Sequence, residues 1–189
     1  MTSSTSTPPT TPSRTAPFTG AVFIATSLDG FIARPDGDID WLTRRGADAG
    51  DTGYDEFIAD VDCLVMGRGT YEKALTFGAW PYEGRDVLLL SSRAAADADA
   101  RVRVVRDVPA AVEAITAAGA RRVYVDGGQV VRSFLAAGLV HEMTITTAPV
   151  LLGRGLPLFG DLEHDVDLEH VRTAVLGAGF VQSTYAVTS

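Results

Sequence analysis

Three short stretches set glycines, hydroxyls and guanidinium groups at the ends of apolar runs. They are Gly67-Arg68-Gly69-Thr70 after "CLVM", Ser91-Ser92-Arg93 after "DVLLL", and Asp126-Gly127-Gly128-Gln129 after "RRVYV". The first and third run straight into helical patterns. A glycine before a helix start leaves free N–H groups and the positive end of the macrodipole facing an anion, and Arg68 adds charge. The plainer alternative is a helix capped by Thr70 with Arg68 in water. Hydroxyls beside a guanidinium suit a phosphomonoester such as the 2′-phosphate of NADPH, although serine-rich strand ends are common. Paired glycines let a backbone approach a pyrophosphate, or simply make a tight turn. There is no G-x-G-x-x-G fingerprint and no Walker lysine loop.

These groups are positioned by alternating elements. "AVFIATS" (Ala21 to Ser27), "DCLVMG", "DVLLLSS" (Asp86 to Ser92), "VRVV" (Val102 to Val105) and "RRVYVDGG" read as strands. "GYDEFIADV", "TYEKALTF", "VPAAVEAITAAG" and "QVVRSFLAAG" read as helices, with Gly119 and Gly138 as stops. After Gly138 the helices cease, and "EMTITTAPVLLG", "LEHVRTAVL" and "FVQSTYAVT" read as strands, with a bend or an edge expected at Pro149. The segment "LDGFIARPDGDIDWL" holds two Asp-Gly pairs and reads as a long turn-rich loop. The pattern predicts an α/β domain over residues 18–189: one mixed, mostly parallel sheet with helices on both faces and antiparallel C-terminal strands. All three motifs then lie at strand carboxyl ends, where open α/β sheets bind ligands. Met1 to Pro17, almost all Ser, Thr and Pro, is expected to be a disordered tail.

Composition removes several classes. A net charge of −8 disfavours nonspecific nucleic-acid binding, which needs a basic face. No apolar run approaches the ~18 residues of a membrane span. No signal-peptide core is seen near the N-terminus, so a cytoplasmic location is expected. Cys63 is the only cysteine and lies in an apolar run, which predicts a buried small hydrophobe and no internal disulfide. His141, His164 and His170 lack metal-ligand spacing, and "HEMTI" has no second histidine four residues on. No metal site is expected.

The segments "TSLDGFIARPDGDIDWL", "VMGRGTYE", "LLLSSR" and "VYVDGGQVVRSFLAAGLVHEMTITTAPVLLGRGLPLF" resemble the dihydrofolate reductase superfamily. Within it, the chain is most similar to the family of the riboflavin-biosynthesis reductase C-terminal domain, including its stand-alone members. The resemblance runs from about Phe23 to the C-terminus. It implies a three-layer, dihydrofolate reductase-like fold with about eight strands, NADPH as cofactor, a small-molecule substrate and a homodimer. Cofactor positions carry over to Gly67, Arg68, Thr70, Ser91, Ser92, Arg93, Gly127, Gly128 and Gln129, with the nicotinamide near Ala25. The implied reaction is hydride transfer to a C=N or C=O carbon of a pterin-like or ribosylaminopyrimidine-like substrate, as in 5-amino-6-(5-phosphoribosylamino)uracil reductase. Dihydrofolate reductase itself and a non-catalytic nucleotide-binding member are the alternatives.

On the substrate side, Ser27 and Asp29 match positions lining the family's site, with Asp29 a catalytic candidate. Asp29 ahead of Gly30 also reads as an Asx turn. Trp41 closes the loop, either over substrate or against the core. Thr144 and Thr146 share one face of a strand and are expected to line the site. Dihydrofolate reductases place a carboxylate on the following helix; Asp51, Asp55 and Glu56 occupy that region, with Asp55 the first candidate. The chain departs from dihydrofolate reductases at Asp126, where a third glycine is common, and at Gln129, where an arginine is frequent. Asp126 is expected to set a carboxylate near the pyrophosphate.

Overall fold

The computed structural model describes residues 17–93 and 99–188. The expectation for the N-terminal tail falls outside them, apart from the exposed Pro17.

Strand β1 (Thr19–Ser27) is followed by a short β2 (Phe31–Ala33), α1 (Asp40–Gly46) and α2 (Tyr54–Ala59). Then come β3 (Cys63–Gly67), α3 (Arg68–Ala74), β4 (Asp86–Leu90), β5 (Arg103–Val105), α4 (Val108–Ala118), β6 (Arg122–Asp126) and α5 (Gly128–Ala136). The chain ends in β7 (Glu142–Ala148), β8 (Leu156–Pro157), β9 (Leu168–Val175) and β10 (Val181–Val187). Eight strands form one sheet in the order β5-β4-β3-β6-β1-β7-β10-β9, parallel up to β7 and antiparallel for the last two. This is the mixed sheet that the strand and helix pattern predicts.

The local signals explain where elements stop. Asp107 caps α4 by accepting from the Ala110 N–H at 2.8 Å, Pro109 sits in its first turn, and Gly119 ends it at φ 68°. Strand β7 stops at Ala148, directly before Pro149, where the bend was expected. The loop after β1 differs from its turn-rich reading. It contains β2, which pairs with β8, and α1, whose Trp41 packs against Ala148 and Phe180. Those partners lie more than a hundred residues away, so no local pattern announces them.

One face of the sheet packs Val22, Val65, Val123 and Val125 beneath α4 and α5, with Phe134 and Ile115 at its centre. The other face packs Leu64, Met66 and Tyr124 beneath α2 and α3. Cys63 is buried, and burial pushes its thiol up to about 12, so it is an inert hydrophobe, as its neighbours predict. His141 is structural: its Nδ1 accepts from the Gly20 N–H at 3.0 Å. Among the described residues no helix is long and apolar enough to cross a membrane.

Candidate functional site

The three glycine and hydroxyl motifs meet at the carboxyl ends of β3, β4 and β6. A groove of about 350 Å³ lies there, lined by Gly67, Leu90, Gln129, Val130, Arg132 and Ser133. Gly127, at φ 90°, places its Cα against the Thr70 hydroxyl, so a methyl group at this position would collide with it. Gly128 likewise has no room for a side chain beneath the Pro157 carbonyl. These approaches bring α3 and α5 together with their N-termini beside the groove. Ser91, Ser92 and Arg93 follow directly after Leu90 at the same end of the sheet.

Not every predicted cofactor side chain turns inward. Arg68 lies along α3 and pairs with Glu72 at 2.6 Å, both well exposed. Gln129 is exposed at the groove rim, and its backbone carbonyl accepts from the Ser133 hydroxyl. Two arginines not singled out from the sequence stand at the groove. Arg132 lines it and donates to the Pro157 carbonyl at 2.9 Å, while Arg106 reaches the Ser91 carbonyl at 3.1 Å. Each had a sequence signal: Arg132 lies one helical turn after Gly128, and Arg106 follows the "VRVV" strand end.

A second feature adjoins the groove. Strands β1 and β6 pair only from Thr19–Arg122 to Ala21–Tyr124, whereas β1 continues beside β7 as far as Ser27. The two strands therefore part toward their carboxyl ends. Tyr124 bridges the parting by donating its hydroxyl to the Phe23 carbonyl at 2.8 Å. Ala25 lies beyond it on the same face of β1, in register with Thr146. Thr144, Thr146, Gln182 and Thr184 form a buried or half-buried polar patch on that face. Gln182 Nε2 donates to Thr146 Oγ1 and to the Thr52 carbonyl, both at 3.0 Å, and Thr144 bonds Thr184 at 3.0 Å. Gln182 and Thr184 escaped the sequence reading because their strand joins β7 only through tertiary pairing.

The predicted catalytic carboxylates are placed differently from one another. Asp29 accepts from the Ser27 hydroxyl at 2.6 Å, from the Leu152 N–H at 3.1 Å and from the Gly153 N–H at 2.7 Å. Ser27 Oγ in turn accepts from the Phe31 N–H. This pair clamps the loop after β1 to the loop after β7. The Ser27 hydrogen bond first, then the two backbone N–H groups, hold the Asp29 carboxyl down at about 2. Asp55 stands exposed in the first turn of α2, whereas Asp51 closes a turn by accepting from the Gly53 N–H. Trp41 is 5% exposed, and its indole N–H has no hydrogen-bond partner among the described residues.

Asp126 is buried, on the face of β6 that Tyr124 shares, within the influence of Tyr124, Tyr82 and the Gly127 N–H at the start of the glycine loop. Burial outweighs the pull of these groups and pushes its carboxyl up to about 6. A further cavity of about 450 Å³ lies at the opposite, amino ends of β3 to β5, lined by Cys63, Trp80, Tyr82, Arg101 and Arg103 among others.

The model of the RibD C-terminal domain family matches residues 19–182. The chain belongs to that family. It is 34% identical over 160 residues to the uncharacterized protein YwjB of Bacillus subtilis, covering 82% of this chain and 91% of YwjB. A Shewanella sp. PV-4 protein assigned to riboflavin biosynthesis has a crystal structure that superposes with a TM-score of 0.81 at 35% identity, over 91% of this chain and all of that one. Dihydrofolate reductase from Enterococcus faecalis, solved with NADP(H), superposes with a TM-score of 0.63 at 20% identity, over 90% and 97% of the two chains. The fold is thus dihydrofolate reductase-like, and the RibD C-terminal domain family supports a reductase-type protein.

Proposed function

We propose that the protein is an NADPH-dependent reductase acting on a C=N or C=O carbon of a small heterocycle, pterin-like or ribosylaminopyrimidine-like. The observation that carries this reading is the convergence of three strand ends on one groove, beside the parting of β1 and β6. The residues fit a dinucleotide: Gly127 and Gly128 let α3 and the Pro157 segment pack closely on the start of α5, which begins at the groove with free N–H groups. Ser91, Ser92 and Arg93, with Arg106 nearby, suit the 2′-phosphate. When bound, NADPH supplies the hydride. The polar patch of Thr144, Thr146 and Gln182 beside Ala25 would orient the substrate, and the closed Asp29 clamp fixes the loops around it. A homodimer and a cytoplasmic location complete the proposal. For the dimer, support comes from β9, where all eight residues, including Val171 and Val175, are exposed.

Titration of NADPH and NADH by nucleotide fluorescence tests the reading. Arg93→Ala should weaken NADPH about 10- to 150-fold, the worth of a charge-assisted contact, and leave NADH nearly unchanged. Absence of NADPH binding would overturn the proposal, and equal losses would move the 2′-phosphate contact to Arg106.

A further inference from the structure

Arg132 joins the groove to the loop on the substrate side. It stands in the second turn of α5 and reaches back over the helix start, where a methyl group on Gly128 would come within 3.3 Å of its Nη1. The segment after β8 lies along its stem, since a methyl group on Gly160 would meet the Arg132 Cδ at 2.8 Å. Nη1 donates to the Pro157 carbonyl at 2.9 Å and to the Leu158 carbonyl at 3.5 Å. Both bonds use the same nitrogen. Nε and Nη2 have no partner among the described residues, and Arg132 lines the groove.

Two positive features therefore meet at one point. The free N–H groups of α5 carry the positive end of its dipole, and the guanidinium beside them faces only carbonyl oxygens. Among the described residues no carboxylate pairs with Arg132. A phosphate in the groove offsets that excess of charge. A guanidinium has donors on more than one edge, so one arm can hold the carbonyls while another meets a phosphate oxygen. Leu158 carries the link onward: its carbonyl accepts from Arg132, and its N–H donates to the Gly30 carbonyl at 3.0 Å. Gly30 directly follows the Asp29 clamp, and Phe31 pairs with Pro157 across β2 and β8.

We infer that Arg132 binds a phosphate group of the nucleotide and through it positions the β2–β8 ribbon. With the groove filled, one guanidinium ties the phosphate to the Pro157 and Leu158 carbonyls and stiffens the loop after β1. The inference rests on the NADPH reading for the identity of the ligand. Its chemistry, an anion against a guanidinium and a helix start, is shared by inorganic pyrophosphate.

Amide hydrogen exchange at Leu158 and Phe31 reads the ribbon, since these N–H groups donate to the Gly30 carbonyl and the Ser27 hydroxyl. Val131, whose N–H donates to the Gly127 carbonyl, reads the groove itself. Saturating NADPH should slow all three in the wild type. Arg132→Met should weaken NADPH about 10-fold or more; at saturation Val131 should still slow, and Leu158 and Phe31 should not. Arg132→Lys keeps the charge without the fork, so it should bind more tightly than the methionine variant and lose the ribbon response equally. Ribbon amides indifferent to bound NADPH in the wild type, or a ribbon response that survives in either variant, would end the positioning role. Unchanged affinity in Arg132→Met would end the phosphate contact. Pyrophosphate separates this inference from the cofactor reading. If NADPH fails to bind while pyrophosphate slows Leu158 in the wild type and not in Arg132→Met, the cofactor reading falls and the Arg132 link stands. If neither binds, both fall.

Discussion

Two carboxylates show how environment sets a role at the scale of single residues. Asp29 spends both oxygens as acceptors for a hydroxyl and two backbone N–H groups. Asparagine keeps the shape but offers one acceptor and one donor, so a donor must face a donor. Asp29→Asn is therefore expected to lower the melting temperature and loosen the 149–155 loop, read by hydrogen exchange at Leu152 and Gly153. The native carboxyl is held down at about 2, so its stabilisation is present above the ordinary value of 3.8 and lost as pH falls toward 2. Asp126 has the opposite sign. Its native carboxyl is raised from 3.8 to about 6, so the folded state binds the proton more tightly. That contribution is full below about pH 4 and is lost as pH rises through 6, a cost of about 3 kcal/mol by pH 8. Urea unfolding of the wild type from pH 4 to 7 should show this slope, and Asp126→Asn should remove most of it. Equal slopes in the two proteins would place Asp126 outside the buried cluster.

At the scale of elements, the groove depends on how closely α3 and α5 approach. Gly127 sits at φ 90° with no room for a methyl group beside Thr70. Gly127→Ala should cost roughly 1–3 kcal/mol from backbone strain and crowding, and it should weaken nucleotide binding as α3 is pushed off. Adding Thr70→Ala removes the crowding but not the strain, so the double variant should recover part of the stability. Full recovery would show that the positive φ carries no cost. Gln182 plays a comparable joining role, tying the segment before α2 to β7 and β10 through Thr52 and Thr146.

At the scale of the whole molecule, the sheet is covered on both faces from β4 to β1 and becomes bare at its far edge. Every residue of β9 is exposed, with Val175 at 78% and Val171 at 59%. Apolar side chains left open on a terminal strand are the feature a second copy would cover. Sedimentation equilibrium should return twice the 19.9 kDa chain mass, and Val171→Asp with Val175→Asp should shift it to the monomer. A wild-type monomer at micromolar concentration would remove the dimer from the proposal.

The sequence by itself determined the order of the main strands and helices and the three strand ends, but not β2, α1 or β8. Apolar runs, helical period, Asp107, Gly119 and Pro149 act over a few residues, and those forces are the same in any fold. The resemblance located the family. Three-dimensional pairing decided the rest. Whether Asp126 is open to solvent or buried beside Tyr124 and Tyr82 depends on which face of β6 is covered by α2. Whether Asp29 is open to substrate or clamped depends on N–H groups from residues 152 and 153, and Trp41 joins the core only because Ala148 and Phe180 reach it. The parting of β1 and β6 has no local cause at all. Such contacts join residues a hundred positions apart, and their direction is set by strand register, which a chain acquires only when the sheet closes.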